Sequence, residues 1–168
     1  MNKATIYSYF PSKVELHEAV LARGIQPMID LLAEFSAGPR TMATAQDFVR
    51  AGMKHLSERP NLSRLIYLEI ISEGNYLTEL SRRWLRPLLD RALAALKDST
   101  AATPWEGDLT PLVVTAFMQL SFGHFALAPL FHEAFDVDPA SEKWVANQTR
   151  FLIALMDQMF PEQGQQTK

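Results

Sequence analysis

The residue types best suited to a specific chemistry stand at the start of the chain, in MNKATIYSYFPSK. This stretch holds two lysines, two tyrosines and several hydroxyls, and no acid. Lysine, phenol and hydroxyl groups contact phosphate oxygens, and short side chains beside them let a helix approach base edges. With 2–10 as a helix, Ile6 and Phe10 share a face that wants an apolar partner. Lys3, Ala4, Tyr7 and Lys13 fall largely elsewhere, with Thr5 and Tyr9 toward the flanks. The chain is net acidic, at -3, so any contact with nucleic acid has to be local.

Other chemistries leave little trace. There is no cysteine, which excludes disulfides, thiolate metal sites and a cysteine nucleophile. No HExxH, phosphate-binding glycine loop, GxGxxG or GxSxG occurs, and no glutamate has a histidine three residues on. His17, His55, His124 and His132 are too scattered to suggest a metal site. The reading is therefore of a non-enzyme with no catalytic residue, no metal and no cofactor. Phe48, Met53, Tyr67, Ile70, Trp84 and Phe117 are spaced as core residues, and they also suit the wall of an apolar ligand cavity. His124, in an apolar helix beside Gly123, reads as a hydrogen-bonded core histidine or as a polar anchor for that ligand.

The elements that position these residues are helical throughout. Apolar content of 48% in 168 residues suits one all-α bundle of about seven helices. The first is expected over 2–10, stopped by Pro11. Ser12 and Glu15 then form a capping box for a long helix to about residue 35, with Leu16, Val20, Met28, Leu32 and Phe35 on one side. Helices follow over about 41–58, from 60 to the break at Gly74-Asn75, and from 77 past Leu96. Pro87 lies inside the last of these and should disturb it one turn upstream. After a loop over 98–107 comes an uncharged stretch, 109–131, long enough to span a bilayer. Its prolines, its polar residues and its flanks Asp108 and Glu133 favour a buried helix instead. A seventh helix is expected from Asp138-Pro139, carrying Trp144, Phe151, Leu152 and Leu155. A polar tail follows over 161–168. There is no internal repeat, and no secretion signal opens the chain, so a cytoplasmic location is expected. Helices apolar on more than one face suggest a two-fold homodimer, with Phe131, Trp144, Phe151, Leu152 and Leu155 at the contact.

NKATIYSYFPSKVELHEAVL resembles the recognition helix and following linker helix of the TetR family of transcriptional regulators. The shared pattern is a small polar cap, Thr-Ile-Tyr-x-Tyr-Phe, a short turn with lysine, and a long helix. NLSRLIYLEIISEGNYLTELSRRWLRPLL is similar to the family's sixth and seventh helices, proline included, and the last two helices resemble its dimerisation pair. The resemblance implies that Lys3, Ala4 and Tyr7 approach bases, and that Thr5, Tyr7, Tyr9 and Lys13 hold phosphates.

It also implies a ligand-controlled regulator, in most cases a repressor. A small, mostly apolar molecule enters the bundle and the linker helix swings. Two recognition helices then no longer match successive major grooves, roughly 34 Å apart. The family's domain begins two helices earlier. Residues 1–13 are therefore expected to be the remnant of a helix-turn-helix, with operator binding impaired in this chain, and 14–160 to be the ligand-binding and dimerisation domain. One alternative is a dimeric ligand-binding module that does not touch DNA. Another is a helical enzyme working inside the pocket, for which no constellation is evident.

Overall fold

The computed structural model describes residues 8–39, 41–73, 76–97 and 107–160. Among them the chain is all helix, with no strand. The expected positions of Lys3, Ala4, Thr5, Ile6 and Tyr7, the Gly74-Asn75 break, most of the 98–107 loop and the 161–168 tail lie outside the described residues.

Helix α1, Lys13–Ala37, is the longest. Ser12 takes an extended conformation and its Oγ accepts the Glu15 N–H at 3.2 Å, which supplies one of the helix's orphan donors with a partner. The reciprocal pair of cap bonds forms instead at the start of α2, Met42–Ser57, between Thr41 and Thr44. The buried stripe of α1 is Leu21, Gly24, Ile25, Met28, Ile29 and Leu32. Met28 and Leu32 lie on it as expected and Leu16 and Phe35 are partly buried, but Val20 is exposed, because each residue turns the helix by about 100° and burial centres on Ile25.

Helix α3, Pro60–Ile71, starts on a proline, which needs no donor there. The next stretch is α4, Leu77–Leu80, then a π-helical segment, Ser81–Leu85, then α5, Arg86–Lys97. The disturbance expected upstream of Pro87 thus takes the form of a wider turn, ending two residues before the proline that cannot donate. A short 3-10 turn, Gly107–Leu109, leads into α6, Thr110–Ala126.

The single helix expected over 109–131 is two. Helix α7, Ala128–Phe135, leaves α6 at 64°. Pro129 in the first turn of α7 explains the break, since a proline fits a helix start and disrupts an interior. Among the described residues no single helix is long and apolar enough to cross a membrane, and only the bent pair α6 and α7 passes by length and composition. The last helix, α8, is Glu142–Met159. It begins later than Asp138-Pro139 suggested. Asp138 caps a turn instead: its Oδ1 accepts the Ala140 N–H at 2.9 Å, and its carbonyl accepts the Ser141 hydroxyl at 2.6 Å.

Helix α1 runs through the middle, packed on α2 and α5, while α3 packs on α6 and α2 on α8. The core joins Ile25, Met53, Leu56, Leu80, Phe125 and Leu152, all essentially inaccessible. At Gly24 the Leu62 side chain comes so close that an added Cβ would meet its Cδ1 at 2.5 Å. That glycine is what leaves room for the Leu62 side chain of α3 against α1.

Candidate functional site

Two regions carry the expected functional residues: the approach to α1 and the interior among α2, α3, the π-helical segment and α6. At the first, Ser8 and Tyr9 are helical, Pro11 stops the turn, and Tyr9 is 77% exposed. Lys13 is exposed as the first residue of α1, so it belongs to that helix and not to a free turn. Tyr9 and Lys13 are therefore both accessible beside the Ser12 cap.

The structure ties this end of α1 to the segment around the π turn. The rings of His17 and Tyr76 lie 4.6 Å apart, and Arg83 Nη1 is 3.6 Å from Glu18 Oε2. Further along, Arg91 Nη1 donates to the Ile29 carbonyl at 3.1 Å. Since 18 pairs with 83 and 29 with 91, the two helical stretches run in the same direction. The first turns of α1 sit level with α4 and the π segment. Neither Glu18 nor Arg83 stood out in the sequence, because their partnership joins positions far apart in the chain.

In the interior, Met53, Trp84 and His124 are buried, and Phe48, Tyr67 and Phe117 pack partly buried against the same core. Ile70, expected in the cavity wall, is 38% exposed toward the end of α3 and contributes no buried wall. Phe48 stacks on Phe35 with ring centroids 5.4 Å apart, which fixes the end of α1 against α2. Tyr67 lies against α6: a Cβ added at Gly123 would be 3.4 Å from its hydroxyl. Burial pushes the Tyr67 phenol up, so it stays protonated and able to donate.

Among the described residues two buried side-chain polar atoms have no partner, Ser63 Oγ and Trp84 Nε1. An unmet buried hydrogen bond costs about 1–3 kcal/mol. Trp84 Nε1 can only donate, and Ser63 can donate or accept. An acceptor oxygen would satisfy either group. Ser63 was not singled out by its sequence, although a serine between Leu62 and Ile66 on an apolar helix was the available signal.

His124 has a structural partner. Its Nε2 donates to the Pro139 carbonyl at 2.8 Å, which ties α6 to the turn before α8. A carbonyl only accepts, so Nε2 carries the proton. Burial lowers the imidazole pKa from its usual 6.5, and the Pro139 bond offsets part of that. The neutral ring is the folded form. The unfolded chain therefore binds a proton that the folded chain resists, so this contribution to stability is present above pH of about 6.5 and lost as pH falls below it. His124→Gln keeps a donor and removes the titration. Its melting temperature should change less than the wild type's between pH of about 7.5 and 5.5. Parallel pH profiles for the two proteins would show that His124 does not set this dependence.

The predicted dimer residues divide. Phe151 is 53% exposed, and Phe131, Trp144 and Leu155 are partly accessible. Leu152 is fully buried in the protomer's own core and is corrected from an interface residue to a core residue. On a helix, neighbours in sequence point about 100° apart, so Phe151 and Leu152 face different surroundings. Leu127, Leu130 and Phe135 on or beside α7 and Leu112 on α6 add further exposed apolar surface. Among the described residues no cluster of three histidine, aspartate or glutamate side chains could hold a metal ion. No protein-family model matches the chain, and no characterised protein matches it either.

Proposed function

We propose that this protein is a ligand-responsive transcriptional regulator of the TetR type, most simply a repressor, acting as a homodimer. The observation that carries the reading is the junction at the start of α1. The family-like string ending in Tyr9, Phe10, Pro11, Ser12 and Lys13 passes directly into one 25-residue helix. The first turns of that helix are accessible, and its later turns from Leu21 to Leu32 are core. Repacking around Ile25 or Met28, on either side of the interior Pro27, would therefore be felt at the DNA-reading end along one continuous helix. The coupling is reciprocal: a ligand that weakens operator binding is itself bound less well by the operator complex. The ligand would be small and mostly apolar with an acceptor oxygen, in keeping with the unpaired Trp84 and Ser63 groups.

The test is selection from random duplex DNA with the protein as its gene encodes it, then a thermal-shift screen of apolar compounds carrying one carbonyl, ether or hydroxyl oxygen. The expected result is a palindromic site, and a compound that both releases it and stabilises the protein. At 100 times its dissociation constant such a compound adds about 2.7 kcal/mol. Stabilisation by a compound without any selected DNA sequence would favour the ligand-binding module that does not read DNA. A protein that selects no DNA and responds to no compound would leave neither reading standing.

A further inference from the structure

The π segment has an outer face that the regulator reading does not use. Leu77, Thr78, Ser81, Arg82 and Arg86 line a groove of about 450 Å³ there. The groove is open to solvent, so what marks it is the chemistry of its lining and not its depth. Arg82 and Arg86 are four residues apart, so both guanidinium groups lie on one side of the helix, with two hydroxyls and an apolar residue beside them. We infer that this groove is a site for a small organic anion, with a phosphate or carboxylate head held by Arg82 and Arg86 and a short apolar tail on Leu77.

The charges already present favour exchange. Arg82 Nη2 meets Glu79 Oε2 at 2.9 Å, and Arg86 Nε lies 3.6 Å from Asp90 Oδ2. Both arginine side chains are about three-quarters exposed, 76% and 77%, and exposed pairs of this kind hold weakly. A phosphate offers several oxygens to two forked donors, a stronger arrangement than either single-contact pair. Two cations four residues apart on one short segment fit a single phosphate or carboxylate head better than the repeated charges of a polymer backbone.

The groove is also connected to α1. Glu79 Oε1 lies 4.0 Å from Arg83 Nη1, the same nitrogen that is 3.6 Å from Glu18 on α1. An anion that draws Arg82 away frees Glu79 to turn to Arg83. Arg83 then leaves Glu18, and a polar contact between the first turns of α1 and this segment is lost. The site stands on its own chemistry. Only the regulatory meaning of a loosened α1 rests on the regulator reading.

Calorimetric titration with hexyl phosphate and with inorganic phosphate at low salt tests the site. Hexyl phosphate should saturate and bind more tightly than inorganic phosphate. The Arg82→Gln, Arg86→Gln double variant, altered only at exposed side chains, should weaken it about tenfold or more. Amide exchange over residues 13–20 should quicken at saturation in the wild type and not in the double variant. Equal binding by wild type and double variant, or no saturation in the wild type, overturns the site. Unchanged exchange at saturation overturns the link to α1. Neither depends on whether an operator is found.

Discussion

On the proposed reading of a homodimeric regulator, Phe151→Glu is expected to turn the full-length protein into a monomer and to abolish its sequence-specific DNA binding. Phe151 leaves 53% of its surface exposed on α8, and Leu112, Leu130 and Phe135 leave 58–64% exposed on α6 and α7. These helices are consecutive, and a stable two-fold interface of the obligate kind buries on the order of 2,000 Å² or more. A carboxylate placed inside such an interface has no partner and must be desolvated, which costs several kcal/mol on each side of a two-fold axis. The DNA consequence follows from geometry. A regulator of this type reads two half-sites with fixed spacing, and without its mate each protomer is left with backbone contacts alone. Specific binding is about 10³-fold or more tighter than non-specific binding, and that margin is what disappears. Sedimentation of Phe151→Glu at micromolar concentration, beside a shift assay on the selected operator, measures both. A variant that stays dimeric and binds normally would place the interface elsewhere.

Its neighbour gives the internal control. Leu152 is inaccessible, so Leu152→Ala should destabilise the fold while leaving the dimer contact chemically intact. Two adjacent residues on one helix are thus expected to fail in different ways, one in assembly and one in folding.

The largest effect on stability is expected from Phe125→Ala. Phe125 is fully buried near the end of α6, and its ring meets that of His124 edge-on with centroids 4.9 Å apart. It belongs to the one cluster that joins α1, α2, α3, α6 and α8. Truncation removes the ring's transfer free energy and leaves a cavity that the surrounding helices can only partly close. The usual cost is about 3–5 kcal/mol. For a chain of this size each kcal/mol lowers the melting temperature by about 2–4 °C, so a fall of roughly 6–20 °C is expected by calorimetry. A loss of less than about 1 kcal/mol would mean that the site collapses or that α6 is not fixed by this residue.

Much of the fold is legible in the residues. Helical periodicity, Ser12, Thr41, Pro60 and the absence of period-two segments specify an all-α chain and most of its starts, because caps and breakers act within a turn of themselves. Pro87 announces the disturbance before it for the same reason. Partners distant in the sequence left no such mark. Met28 and Leu32 of α1 were legible as core, but Leu21 and not Val20 is buried with them, because burial is decided by which neighbours surround Ile25. Asp138 capped a turn and not a helix because the Pro139 carbonyl is held by His124 fifteen residues earlier. Leu152 and Phe151 are equally apolar to a sequence reading, and only the packing of α8 on α2 separates core from surface.

The candidate sites divide along the same line. The composition of residues 2–13 was visible at once, since a run of lysine, tyrosine and hydroxyl groups without an acid is a local property. The unpaired Ser63 and Trp84 atoms, the Glu18–Arg83 contact and the groove at Arg82 and Arg86 were not. Each depends on what a side chain meets after folding. The sequence by itself determined the helices, their caps and the local chemistry of the opening segment, because hydrogen bonds within a few residues govern them. Only the tertiary structure decided which polar groups are left without partners and which charges are shared between helices, because desolvation and ion pairing depend on distances across the fold.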